Sequence, residues 1–227
     1  MTSKALVIPA ILVSAATLWA ATLYLTPSRV EVAEPAYPYQ ALYGGDVFLE
    51  FAVADDGTPR DVHVRHPAPP FTEPATRALA QWKLQLPPPE ANEASESLDR
   101  RVALVWQFRM AQALAQTPPE RTYEATLFGT GRDRPPVPTT IFEAAQPIQA
   151  VNEGTAVLAV TVDEKGNVKV VRALNRAGAL TDAATAAVRR WKFSPALVDG
   201  EPATGELLIA VTFPRPVLGA PPPRPPQ

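Results

Sequence analysis

Hydrophobic and polar residues alternate in four segments, which form two pairs. The first pair is Val47–Val53 and Val102–Phe108, and the second pair is Leu158–Val162 and Leu207–Phe213. A period of two predicts β-strands with one buried face. Between the members of each pair, apolar residues recur at i, i+4, i+7, i+8 and i+11, which predicts an amphipathic helix. The residues are Phe71, Ala75, Ala78, Leu79 and Trp82 in the first pair, and Leu180, Ala184, Ala187, Val188 and Trp191 in the second.

A short polar turn follows the first strand of each pair. Asp55–Gly57 and Glu164–Gly166 both end in glycine, which a tight hairpin needs where φ is positive. A second strand is predicted after each turn, over Val62–Val64 and over Val168–Ala173. The pattern therefore predicts an α+β fold of two tandem β-β-α-β units, each an antiparallel three-stranded sheet with a helix on one face.

The two units are copies of one sequence. A displacement of 109 residues places Gly45–Pro87 on Gly154–Ala196 without a gap, with 12 identities in 43 positions. Two of the four tryptophans of the chain, Trp82 and Trp191, coincide in this alignment. We call these units the first copy and the second copy.

The second copy resembles the C-terminal domain of TonB-type energy transducers. The resemblance rests on the glycine before the first strand, the hairpin glycine, the Trp191–Ala196 segment (WKFSPA) and the Asp199–Pro202 turn (DGEP). The first copy is more divergent. The motif residues that we predict to have structural roles are Gly57, Trp82, Gly154, Gly166, Trp191, Phe193 and Pro195. We expect the tryptophans to fill the core, with ligand stacking as the alternative.

The pattern and the resemblance together divide the chain into five segments. Proline, with 27 residues, has about twice its usual frequency of about 5% and clusters between the predicted folded parts. The predicted segments are a cytoplasmic stub and transmembrane anchor at 1–28, the first copy at 37–110, a Pro-rich linker at 111–146, the second copy at 147–214 and a Pro-rich tail at 215–227.

The first segment contains 21 uncharged residues, Ala5–Leu25. About 20 apolar residues span a bilayer as a helix, so we expect a retained anchor. A cleaved signal peptide is the alternative, although its apolar region normally has about 7–15 residues. The resemblance implies a bacterial inner-membrane protein with a single span and with its C-terminal domains in the periplasm.

Charge and composition argue against several classes of function. The net charge is -2 and no segment concentrates Lys and Arg, so we expect no nucleic-acid partner. Cysteine is absent, and the two histidines, His63 and His66, are three apart on a predicted strand and therefore point to opposite faces. No nucleophile motif or phosphate-binding glycine loop is present. We therefore expect no enzyme activity, no metal and no cofactor.

The edges of a three-stranded sheet are the predicted binding sites. An extended peptide can pair with an exposed edge strand, and the uncharged final strand of the second copy lacks the charges that normally protect an edge. The predicted partner-binding residues are Leu207, Leu208, Ile209, Ala210, Val211, Thr212 and Phe213. The resemblance implies envelope partners, an outer-membrane receptor or an inner-membrane motor complex, and energy transduction to outer-membrane transport.

Three alternatives remain open at this point. The chain is an inert periplasmic scaffold or sensor domain whose two copies pair with each other, or it forms a homodimer. The third alternative is a small-molecule binder with its site in the groove between the copies.

Overall fold

The computed structural model describes residues 23–41, 43–87, 100–110, 120–147 and 153–215. The α+β class is confirmed, with strands and two helices in these ranges. The elements of the first part are β1 Leu23–Tyr24, β2 Arg29–Glu31, β3 Gly45–Val53, β4 Pro59–His66, α1 Thr72–Leu79, β5 Lys83–Gln85 and β6 Arg100–Phe108. Those of the second part are β7 Glu120–Thr122, β8 Val137–Phe142, β9 Gly154–Val162, β10 Val168–Ala173, α2 Ala179–Val188, β11 Lys192–Ser194, β12 Ala196–Val198, β13 Glu201–Ala203 and β14 Gly205–Phe213.

The largest sheet runs through both copies. Its strands follow the order β10-β9-β14-β6-β3-β4, and β1 pairs with the beginning of β6. The copies meet where β14 lies parallel to β6, with Leu208 opposite Leu104 and Thr212 opposite Phe108. The other neighbours in this order are antiparallel. One continuous sheet therefore joins the two copies.

The two helices pack on opposite faces of this sheet. α1 covers the odd-numbered side chains of β3 and also packs with Val157 and Leu208 of the second copy. α2 covers the alternate face, where its core includes Phe48 and Val105 of the first copy. Each copy thus buries a face that a separate three-stranded sheet would expose, and all nine residues of β3 are buried.

The repeat begins earlier than the alternating pattern indicates. β2 pairs with β5 in the first copy, and β8 pairs with β11 in the second. The indole N–H of Trp82 donates to the Ala33 carbonyl at 3.1 Å, and that of Trp191 donates to the Phe142 carbonyl at 2.8 Å. Donors and acceptors are both displaced by 109 residues. Six further identities at this displacement lie between residues 27 and 44, namely Pro27/Pro136, Glu34/Glu143, Ala36/Ala145, Pro38/Pro147, Gln40/Gln149 and Ala41/Ala150.

The predicted linker at 111–146 therefore needs correction. β7 and β8 lie within it and pair with each other, and β8 is the first strand of the second copy. The proline content misled the sequence interpretation, because Pro136 precedes β8 and Pro138 lies in it where the register against β11 shifts, and such an irregularity tolerates proline. The part of this segment that the structure describes belongs to the fold.

The predicted membrane span also needs correction at its end. Leu23 and Tyr24 form β1, and the N–H of Leu25 donates to the Arg101 carbonyl at 3.0 Å, so these three residues belong to the sheet. The rest of the predicted span, residues 5–22, lies outside the described residues, as does the predicted tail beyond Arg215. Within the described ranges, no helix combines the length and the apolar character needed to cross a membrane.

Candidate functional site

The predicted binding strand lies in the middle of the sheet. β14, which contains all of Leu207–Phe213, pairs with β9 on one side and with β6 on the other. Its backbone groups on the β6 side are occupied, as the bond from the Arg109 N–H to the Thr212 carbonyl at 3.2 Å illustrates. The prediction of an open edge at these residues is therefore wrong. The uncharged strand does need a pairing partner, and the first copy supplies it.

Polar side chains bond the two copies near this junction. The Trp106 indole N–H donates to the Thr212 hydroxyl at 2.8 Å, and the hydroxyls of Thr212 and Thr155 lie 2.9 Å apart. The carboxylate of Glu34 accepts from both the backbone N–H and the hydroxyl of Thr155, at 3.0 and 2.5 Å. This chain of bonds satisfies polar groups that the junction buries, and it connects the first copy to the start of β9.

A buried ionic cluster lies at the other side of the junction. Arg121 of β7 binds both carboxylate oxygens of Asp46, at 2.5 and 3.0 Å, and Glu143 at 3.1 Å. The side chains of Asp46 and Glu143 are 0% and 1% exposed, so their charges depend on this partner. Burial lowers the pKa of Arg121, but the charges and hydrogen bonds of Asp46 and Glu143 together outweigh burial and raise the pKa above its usual value. The cluster also contains Arg109, whose pKa burial lowers.

The cluster is a structural feature of the junction. Arg121 and Glu143 come from the segment predicted as a linker, and Tyr123 donates its hydroxyl to Asp46 at 2.7 Å. Burial raises the pKa of Tyr123, as does the adjacent Asp46 carboxylate. Glu34 and Glu143 coincide when the sequence is displaced by 109 residues. This identity is the sequence signal that could have revealed this part of the site.

The two outermost strands of the sheet differ in regularity. β4, at the first copy's edge, has two register shifts against β3, begins with Pro59 and contains Asp61 at a φ of 50°. β10, at the second copy's edge, has one register shift near its start and then pairs residue by residue from Val170 to Ala173. Bulges and proline are features that protect an edge from pairing, and β10 has one register shift and no proline, although it carries Lys169 and Arg172. β10 is therefore the edge that is better suited to accept another strand.

The backbone orientation of β10 follows from one hydrogen bond. The Leu174 N–H donates to the Val157 carbonyl at 2.9 Å, so Leu174 faces β9. With a period of two, Arg172 and Val170 also face β9, whereas Val171 and Ala173 direct their N–H and C=O groups outward. No described strand pairs with this outer side.

Basic side chains surround the outer side of β10. Lys169 lies on the strand, and Arg176 lies beyond its end together with Arg29 of the first copy, all three exposed. A cavity of about 560 Å³ at the end of the strand is lined by Arg29, Glu31, Leu174 and Arg176, among others. Arg172 instead donates to the carbonyls of Pro27 and Ser28, each at 3.1 Å, which holds the segment before β2 against the second copy.

The predicted motif residues lie in equivalent environments in the two copies. Trp82 and Trp191 are 0% and 1% exposed. Gly57 and Gly166 both have a φ of 80°, and an added Cβ would come within 2.5 Å of the Leu84 carbonyl oxygen and 2.0 Å of the Phe193 carbonyl oxygen. Gly154 would place a Cβ 3.1 Å from Leu180. Phe193 is buried and Pro195 is partly buried. These residues support the packing of each hairpin, β3–β4 or β9–β10, on the strand that follows the helix of the same copy, β5 or β11.

Comparison with known proteins agrees with this architecture. A family model described as Gram-negative bacterial TonB protein C-terminal matches residues 33–105 and 145–214, more than half of the chain. No curated protein and no solved structure gives a significant match. Members of this family are Gram-negative envelope proteins of the TonB type with a periplasmic domain, involved in energy transduction or transport and in contacts with other envelope proteins. The chain belongs to the TonB C-terminal family and carries two tandem copies of its domain.

Proposed function

We propose that the chain is a non-enzymatic, membrane-anchored periplasmic protein that binds a partner protein by strand addition to β10. The observation that carries this proposal is the difference between the edges of the shared sheet. β14 is paired on both sides, β4 is irregular, and β10 offers a regular run from Val170 to Ala173 with outward backbone groups. An extended segment that pairs there would gain main-chain hydrogen bonds without disturbing the rest of the sheet.

A membrane anchor at residues 5–22 would hold the sheet close to the inner membrane. These 18 residues carry no charge and would form a helix of about 27 Å, close to the hydrocarbon thickness of about 30 Å. Because Leu23 and Tyr24 already belong to β1, the sheet would begin directly after the span. Resistance of the full-length chain to carbonate extraction would support this anchor, whereas release of the intact chain would contradict it.

The alternative function is an inert scaffold, and a specific observation favours it too. The two copies pair through β14 and β6 and bury a polar and ionic junction, as a purely structural duplication would require. Under this alternative, neither outer strand contacts another protein.

Site-specific photo-crosslinking in the native cells can distinguish the two functions. Val64 of β4 and Val170 of β10 are similarly exposed, 41% and 48%, and provide matched positions for a photoreactive amino acid. Strand addition to β10 predicts an adduct of defined mass from position 170 and not from position 64. The scaffold predicts an adduct from neither position.

A second substitution tests whether such an adduct depends on backbone pairing. Ala173→Pro removes an N–H that faces outward, and proline is tolerated on edge strands. The variant should keep the thermal unfolding transition of the parent and lose the adduct at position 170. An adduct that survives in the folded variant would contradict strand addition at this edge.

A further inference from the structure

We infer that the segment bound at β10 is an extended, acidic peptide, whose carboxylates contact the cations along this edge. The inference rests on the proposed function and adds the chemistry of the partner. It is carried by the position of Lys169, Arg176 and Arg29 relative to the outward backbone groups of Val171 and Ala173.

The charge around this edge is predominantly positive. Lys169 lies at one end of the regular run, and Arg29 and Arg176 line the cavity at the other end. The described residues offer the side chains of these three no hydrogen bond or ion pair, whereas the Arg172 side chain donates to backbone carbonyls. Glu31 is the carboxylate of the cavity, so the four cations outnumber it. The β9–β10 turn, with Asp163, Glu164 and Lys165, carries charges of both signs.

The spacing of the cations suits an extended chain. A strand rises about 3.3 Å per residue, so the four steps from Lys169 to the end of β10 at Ala173 correspond to about 13 Å, or the length of about four residues of an added strand, and Arg176 lies beyond that end. Carboxylates near the two ends of such a segment would meet the cations, and its middle would pair with Val171 and Ala173. Exposed Val170 provides an apolar contact for the same segment.

The same charges disfavour a second copy of this chain at the edge. In an antiparallel pair of two β10 strands centred between Val170 and Val171, Lys169 of one chain would lie opposite Arg172 of the other. Like charges in directly opposed positions are destabilising. In a pair centred on Val171, the two positively charged edges would still face each other, without carboxylates on β10 to compensate.

Three synthetic peptides provide the direct test. They share one nine-residue alternating Thr and Val pattern and carry three Glu, three Gln or three Lys residues at the same positions. Binding to the full-length chain in a non-ionic detergent is measured by fluorescence anisotropy at about 50 and 500 mM salt. The Glu peptide should bind about three- to tenfold more tightly than the Gln peptide, and the Lys peptide more weakly, since exposed ion pairs contribute little individually. The higher salt concentration should reduce these differences.

Charge reversal identifies the edge that is responsible. The Lys169→Glu, Arg176→Glu double variant should reverse the order of the Glu and Lys peptides. Arg60→Glu on β4 is the matched control and should leave the order unchanged, because it alters the charge at the opposite edge of the sheet. The same order in the double variant as in the parent would contradict the assignment of β10.

The remaining outcomes separate this inference from the proposed function. Equal, salt-independent binding of all three peptides would contradict the acidic partner and leave strand addition in place. No binding by any peptide, together with no adduct at position 170, would contradict both. A dimer in sedimentation that excludes the peptides would assign the edge to a second copy and would also contradict the acidic partner.

Discussion

The two copies share one set of packing contacts and differ in their outer strands. Trp82 and Trp191 donate to equivalent carbonyls, and Gly57 and Gly166 lie against equivalent carbonyl oxygens. The first copy, however, ends the sheet in the irregular β4, whereas the second ends it in the regular β10. The core of the unit was thus kept after duplication, and the edges diverged.

The comparison indicates what duplication changes in such a small unit. A three-stranded sheet with one helix leaves one face and two edges uncovered. Pairing of β14 with β6 removes one edge from each copy, and the opposite placement of α1 and α2 covers the second face of each copy. Only β4 and β10 remain as edges of the shared sheet, and the described residues supply protective features mainly to β4.

The largest effects are expected from the tryptophans. Trp82→Ala and Trp191→Ala should each lower the free energy of unfolding by about 3–5 kcal/mol, because each leaves a cavity in the core. If the shared sheet unfolds as a unit, each variant should shift the same single transition in denaturant, measured by circular dichroism. Two separate transitions, each sensitive to one tryptophan, would mean that the copies unfold independently.

The next largest effect concerns the junction. Arg121→Ala should cost about 3 kcal/mol, because it leaves the buried carboxylates of Asp46 and Glu143 without their shared cation. Arg77→Ala is the matched control, since Arg77 and its partner Glu73 are 69% and 77% exposed and should contribute about 0.5 kcal/mol or less. Equal stability of the two variants in urea unfolding would mean that the segment before β8 does not stabilise the junction.

A smaller effect should come from the hairpin glycines. Gly57→Ala and Gly166→Ala should each cost about 2 kcal/mol, because the new Cβ meets a carbonyl oxygen while the backbone keeps a positive φ. Gly200→Ala provides the control, since its φ is 87° but the nearest atom to an added Cβ, Nε of Arg132, lies 3.8 Å away, and it should cost about 1 kcal/mol. Thermal unfolding measures the difference. A control variant as unstable as the other two would mean that backbone strain alone explains the glycines.

The sequence predicted the units and left their association with each other as an alternative. The alternation of Val47, Leu49, Phe51 and Val53 correctly identifies the face under α1. The opposite face of β3 contains Asp46, Phe48 and Glu50, which resembles a solvent-exposed face by composition. It is buried because the second copy covers Phe48 and because arginines pair with both carboxylates. The local periodicity of the sequence indicates which side of a strand is apolar. It does not indicate ion pairs between residues that are far apart in the chain.

The candidate binding edge was missed for a related reason. The uncharged strand at 207–213 and the basic strand at 168–173 both fit an edge of a single unit. Which of them remains exposed depends on how two units pair, and this choice is made by contacts between residues about 100 positions apart, such as Leu104 and Leu208. The sequence analysis interpreted the lack of charge at 207–213 as an unprotected edge, whereas this lack of charge fits a central strand better than an edge.

Amide hydrogen exchange along β14 tests the shared sheet most directly. Thr212 faces β6, so the amides of Leu208, Ala210 and Thr212 should be bonded to the first copy, while the alternate amides of the strand face β9. In the full-length chain we expect consecutive amides of β14 to be equally protected, whereas in β10 the outward amides of Val171 and Ala173 should exchange much faster than their neighbours. Rapid exchange at Leu208, Ala210 and Thr212 would show that β14 is an open edge and would contradict the pairing of the two copies.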